Sequence, residues 1–411
     1  MKSAKLRSTR LLVAACVLLT PALAACGAKS SGGSNSSGPL DIGYIGTLSG
    51  PQAEISKDSL EGTRTAVSMI NKAGGINGRQ IKLVVKDDLG DTSKSVAYLR
   101  SMASEGIKFV IGGSFDPNCL AMSPVAQALG VVEVSPTCSS DLLTTTKKND
   151  SFFEVSSGDS EGAKGSAEIA AREYPGVKWQ GLQPDFVFGH EVWTGFQKYL
   201  APADPTATVG KNVFVPLDAT QFGSYITSLV SAIGNTSAKD SGLFTGAFGG
   251  TMIGLGQQAP SYNFFQHYSG IVNNGAPYPT YHALGAKTPN MWFVYQYAPS
   301  AYTNASNTAF INAFKAMNGG ADPQAWQEMG YVSVLALQAG IEKAKSTDGK
   351  TVSTAMKGMS FDTPQGNVSF GDGNLLGLPM TAINVVGDSA STSPDKVDIK
   401  SSVVLPASEL E

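Results

Sequence analysis

Histidine, basic clusters and long apolar runs are what this chain of 411 residues has least of. Its three histidines, His190, His267 and His282, include no pair at the spacing that sets two zinc ligands on one helical face. Segment Gly158–Ser166 looks superficially like a phosphate loop. Its glycines are wrongly spaced, and Lys164 is followed by Gly165 where such loops carry Ser or Thr, so a helix start near Ser160 fits it better. His190 could act in catalysis, but a hydrogen bond to a ligand suits its setting better. The chain therefore reads as a non-enzyme without cofactor or metal. Charged residues make up only 15% of it, with 30 basic against 33 acidic, and no basic block interleaves with aromatics. Nucleic acid is thereby excluded as a natural partner.

The N-terminus has a definite order. Lys2, Lys5, Arg7 and Arg10 precede the apolar run Leu11–Leu23, and small residues follow. That is the order of a secretory signal, and the run is shorter than the roughly 20 residues a spanning helix needs. Cys26 stands directly behind Leu23-Ala24-Ala25. The junction resembles the lipobox of bacterial lipoproteins, which implies cleavage after residue 25 and a lipid anchor on Cys26. An ordinary signal with a chance cysteine is the alternative. Residues 27–39, a Gly/Ser/Ala stretch ending in Pro39, cannot bury enough surface to order themselves and read as a tether. Residues 1–25 hold four of the basic residues and no acidic one, so what remains is more acidic than the formal −3 of the whole. No later run approaches spanning length, so lipid would be the sole anchor, on the extracytoplasmic face of a bacterial membrane. With Cys16 in the signal and Cys26 lipidated, Cys119 and Cys138 remain. Two cysteines in an exported protein are expected to pair, with two buried thiols as the alternative.

About 370 residues follow the tether, enough for two domains. Apolar runs alternate with helical periodicity: strands at 42–45, 81–86, 109–111 and 131–134, and helices through 60–73, 93–104 and 119–129. This alternation predicts an α/β fold with a doubly wound, mainly parallel sheet. Its ligand edge lies beyond the carboxyl ends of the strands, at 47–55, 112–118 and 135–141. A second such series starts near 160, with strands at 177–182, 213–215 and 242–247. Later segments read as an isolated strand at 291–298, helices at 307–317 and 325–344, a hairpin at 366–370 turning at 371–373, and a strand at 381–386.

Gly46-Thr-Leu-Ser-Gly-Pro51, Gly74-Gly-Ile-Asn-Gly78, Val85-Lys-Asp-Asp88, Val110-Ile-Gly-Gly113 and Val134-Ser-Pro136 follow one another in order and spacing. Together they resemble the periplasmic leucine/isoleucine/valine-binding proteins, strongly over 41–145 and more patchily beyond. The resemblance implies the substrate-binding component of an ABC importer: a monomer of two lobes joined by three crossings, closing on a small solute and docking on a permease. Lobe 1 would comprise 40–156 with 292–375, and lobe 2 would comprise 157–291 with 376–411. A sensor lipoprotein of the same fold, or an amino-acid-binding protein with a divergent pocket, is the alternative. Membrane-tethered adhesion would instead require a large exposed apolar patch.

By the same resemblance, the serine that grips a ligand carboxylate becomes Asp116, its main-chain partner becomes Thr137, beside Cys138, and its threonine becomes Ser139. The aromatic positions become Ile55, Phe188 and Phe248, with Phe115 and His190 also at the cleft edge. The acid that pairs with a ligand ammonium falls near Val272, and Ile271–Asn274 contains none. Asp116-Pro117 has the form of an N-cap followed by proline at the first helical position; alternatively Asp116 points into the cleft. Either arrangement disfavours a ligand carboxylate there, and a free branched-chain amino acid with it. The expected solute is apolar, aromatic or amide-like, or in a sharper variant a cation stacked on the phenylalanines and paired with Asp116. A Cys119–Cys138 bridge would tie two loops of this pocket together.

Overall fold

A computed structural model describes residues 38–50, 53–275 and 277–410. The expected export signal, Cys26 and the tether up to residue 37 lie outside the described residues, as does Pro51. Among the described residues no helix is long and apolar enough to cross a membrane.

Two sheets organise the chain. The first takes strands β1 (Leu40–Gly46), β2 (Ile81–Asp87), β3 (Phe109–Gly112), β4 (Val132–Ser135) and β5 (Phe152–Glu154) in the order β2-β1-β3-β4-β5. All four pairings are parallel. Helices α1 (Glu54–Lys72), α2 (Thr92–Ser104), α3 (Asp116–Leu129) and the short α4 (Asp141–Thr144) connect them. β3 and β4 are buried along their whole length; β3 reads as an unbroken apolar run, whereas β4 alternates Val132 and Val134 with the buried polar residues Glu133 and Ser135.

The second sheet begins beyond α5 (Asp159–Glu173). It contains β6 (Lys178–Pro184), followed by α6 (Val187–Ala203), then β7 (Thr208–Val215), β8 (Ser241–Thr245), β9 (Gly270–Asn273) and β10 (Met291–Tyr295). These five strands run parallel. After a hairpin of β11 (Ser360–Thr363) and β12 (Gly366–Ser369), the strands β13 (Met380–Gly387) and β14 (Val397–Leu405) extend the sheet antiparallel beside β10. The order is β14-β13-β10-β9-β8-β6-β7. An α/β fold with two doubly wound, mainly parallel sheets is what the alternation predicted.

Two expectations need correcting. The lobe boundary at 292 falls inside β10, whose main chain pairs with β9 and β13, so 291–295 belongs to the second sheet. The chain returns to the first lobe only afterwards, through the helix Ala305–Met317 and the long helix Ala325–Ala344, which packs on α1. The hairpin also turns elsewhere: Gly366–Ser369 pairs backward with Ser360–Thr363, and across 371–375 there is a single bridge, Phe370 to Leu376.

Candidate functional site

Strands of both sheets deliver their carboxyl ends to one cavity of about 700 Å³, its open mouth included. From the first lobe come Ile55, Ser114, Phe115, Asp116, Thr137 and Ser139, with Trp326 and Met329 from the long helix. The second lobe supplies Phe186, Phe188, Phe248, Asn274 and Tyr295, and the crossing 156–159 passes along the floor.

A repeated local device builds the aromatic wall. Phe115, Phe186 and Phe248 each occupy the extended residue just before a helix, where a strand of the sheet has ended and no side chain caps the helix. Phe186 stacks on Phe188 at 5.8 Å and meets Phe115 edge-on across the cleft at 6.3 Å. Phe248 sits edge-on to both Phe186 and Phe188, at 6.3 and 6.0 Å. Edge-on and offset pairs of this kind are the favoured aromatic geometries, so the four rings hold one another in place.

Polar and acidic side chains also line the cavity. Asp116 is the first residue of α3, and Phe115 takes the N-cap position, so the expected cap does not form. Its Oδ1 instead accepts the backbone N–H groups of Ser139 and Ser140 at 2.9 and 3.0 Å. Those two amides are thus taken by a carboxyl group of the protein itself. Burial pushes the Asp116 carboxyl up to about 6, against the opposing pull of those two amides. Asp159, at the start of α5, is 2% exposed and lines the cavity. Neither of its carboxyl oxygens makes a hydrogen bond, Ser139 and Glu191 being its near polar neighbours. Burial, with the charge of Asp116 next, raises it well above the usual carboxylate range. Glu154 behind it is raised in the same way. Among the described residues no lysine or arginine lines the cavity.

Cys119 and Cys138 are bonded, joining the start of α3 to the loop after β4. Gly113 lies beneath the bridge with φ +81°, and a Cβ there would stand 2.0 Å from the Cys119 sulfur, so the turn accepts only glycine. Thr137 donates its hydroxyl to Gly113 O at 2.9 Å.

Of the residues singled out in the sequence, Ile55, Phe115, Asp116, Thr137, Ser139, Phe188 and Phe248 meet at the cavity. Cys138 does not line it: its side chain is buried in the disulfide, and its carbonyl accepts the Ser156 hydroxyl at 2.6 Å. His190 does not line it either. Two residues along α6 turn its side chain about 200° from Phe188, and it lies at the surface, 3.0 Å from Asp185 and stacked on Phe214. Val272 is buried in the core of the second lobe, and two residues on Asn274 reaches the cavity instead. Sequence reasoning missed Phe186, Asp159, Tyr295, Trp326 and Met329. The signal for Phe186 was available, since it occupies the same strand-to-helix junction as Phe115 and Phe248. Tyr295 lines the cavity, and Tyr297 is buried against Asn307.

Gly158-Asp159-Ser160-Glu161-Gly162 also has the Gly-x-Ser-x-Gly spacing of a hydrolase elbow, a motif that sequence reasoning wrongly took to be absent. Ser160 sits in the first turn of α5 and gives its hydroxyl to Asp141, not to a histidine. His190 and His282 pair with Asp185 and Asp395 instead.

Residues 39–389 match the family model described as periplasmic binding protein. The leucine-, isoleucine-, valine-, threonine- and alanine-binding protein of Pseudomonas aeruginosa is 26% identical over 361 residues, 86% of this chain and 91% of that one. Among solved structures, an amino acid ABC transporter substrate-binding protein from Pseudomonas fluorescens Pf-5 superposes with a TM-score of 0.77 at 21% identity, covering 89% of this chain and 95% of the other. A solute-binding protein of an ABC transporter from R. palustris, in complex with benzoate, gives 0.75 at 18% identity, with 88% and 96% covered.

Proposed function

This chain belongs to the periplasmic binding protein family, and we propose that it is a lipid-anchored receptor, held through Cys26, that delivers a small organic solute to an ABC import permease. The solute has an aromatic or apolar body and ends in a hydrogen-bond donor, either a neutral amide or an ammonium. One observation carries this reading. Four phenylalanines drawn from both lobes share one cavity with a buried carboxyl, Asp159, whose oxygens make no hydrogen bond among the described residues, none of which adds a lysine or arginine to the lining. A buried polar group without a partner is costly, and a donor from the solute would remove that cost. The phenylalanines would receive the body by apolar contact and, for an ammonium, by cation–π attraction.

A free branched-chain amino acid fits less well. Its carboxylate would compete with Asp116 for the amides of Ser139 and Ser140, and Asn274 offers its ammonium no charge. A benzoate has the right body and the wrong end, since its carboxylate would face Asp116 and Asp159. Closure of both lobes over the solute supplies the signal for the permease, because only the closed form offers both walls at once.

Mass spectrometry of the protein purified from its native membrane tests both parts. Under native conditions the protein is expected to release a nitrogen-containing aromatic or amide compound, and its denatured mass to begin at a lipidated Cys26. Release of leucine, isoleucine, valine or a benzoate would contradict the solute reading, and an unmodified N-terminus would contradict the anchor.

A further inference from the structure

Beyond the cavity the two lobes touch through a second, wholly polar set of contacts. Glu191, on α6 of the second lobe, reaches across to the loop after β4 of the first. Its Oε1 accepts the Ser140 hydroxyl and its Oε2 accepts the backbone N–H of Asp141, both at 3.1 Å. The contact is returned in the other direction: the Asp141 carboxylate accepts from the Ser160 backbone N–H at 3.1 Å and from the Ser160 hydroxyl. The loop between them is not free to adapt. Asp116 holds the N–H groups of Ser139 and Ser140, and the disulfide fixes Cys138 to α3. A rigid loop presenting two donors to one carboxylate is a preorganised receptor for that carboxylate.

We propose that Glu191 is a latch: it holds the second lobe on the Ser139–Asp141 loop and populates the closed form before any solute arrives. Asp116 acts in this as a positioning residue, shaping the loop that Glu191 grips. Glu191, Ser140 and Asp141 do not line the cavity themselves, although Asp116 and Ser139 do and Glu191 neighbours Asp159, and the purpose of the latch rests on the receptor reading. Solute then meets a molecule already partly closed, and breaking the latch raises the fraction that must be closed at the solute's expense.

The test needs no solute. Spin labels on cysteines replacing Arg100 on α2 and Lys211 on β7, both exposed, report the distance between lobes in the ligand-free protein. The wild-type background is expected to show a population at the separation of this structure. Glu191→Ala should reduce that population about threefold or more, and Ser140→Ala, which removes one donor of two, should reduce it less. Absence of the short distance in the wild type, or equal populations in wild type and Glu191→Ala, would overturn the latch. Melting curves identify any variant that fails to fold, in which case Ser140→Ala decides. A failed latch would leave the solute reading intact, because the mass measurement does not depend on it.

Discussion

The Asp116 carboxylate is the residue on which one rim of the cavity depends. Its Oδ1 gathers two backbone donors that would otherwise lie unpaired at the cleft, and its own proton is held at about 6 by burial. An unfolded aspartate titrates near 3.8. Folding therefore takes up a proton between these values. The stability contributed by the neutral form is complete below about pH 4 and is lost as pH rises through 6. Asparagine keeps an acceptor oxygen for both amides and has no proton to lose. Asp116→Asn is thus expected to match or exceed the wild type in urea denaturation at pH 8, and to lose the pH 4–6 dependence. Asp116→Ala orphans both amides and should cost about 1–3 kcal/mol. Equal losses in Asn and Ala at pH 8 would contradict this role. The sequence made Asp116 a cap or a cleft-facing charge. Neither reading could find the amides of Ser139 and Ser140, because they come from the next strand's loop.

At the scale of elements, the helix that carries Trp326 and Met329 is placed by its crossing with α1. A Cβ on Gly62 would stand 1.7 Å from Gln327 O, and one on Gly330 would stand 1.9 Å from Ser59 O, so the two backbones touch where both helices carry glycine. Gly330→Ala must part them. It is expected to destabilise the protein by about 1–3 kcal/mol in chemical denaturation, and a change below about 0.5 kcal/mol would contradict the close crossing. Periodicity displayed both helices and most strands of the first lobe, because buried parallel strands and amphipathic helices carry strong patterns. It missed β5 and β9, which span three and four residues, and β14, an edge strand whose polar run Lys400-Ser401-Ser402 leaves only the short apolar end Val403-Val404-Leu405. It assigned β10 to the wrong lobe because an apolar strand does not name its partners. The site was legible where a residue sits at a strand-to-helix junction, as Phe115 and Phe248 do. Where a helix face decides the matter, as at His190, or where a distant element contributes, as with Trp326, it was not.

At the scale of the molecule, two lobes built on parallel sheets turn their carboxyl ends toward each other and share one cavity. Among the described residues the cavity's charged side chains are acidic, its aromatic wall stands beside serine, threonine and asparagine side chains, and the Ser139–Ser140 amides are filled from within by Asp116. The central claim is that this combination selects the donor end of an aromatic or apolar solute. A thermal-shift series on the purified protein with phenethylamine, benzamide, benzoate and leucine varies body and end separately. A specific binder at a hundredfold excess over Kd stabilises by about 2.7 kcal/mol. Stabilisation by phenethylamine or benzamide, with benzoate and leucine silent, is the predicted result. Stabilisation by benzoate or leucine, with the amine and amide silent, would contradict it.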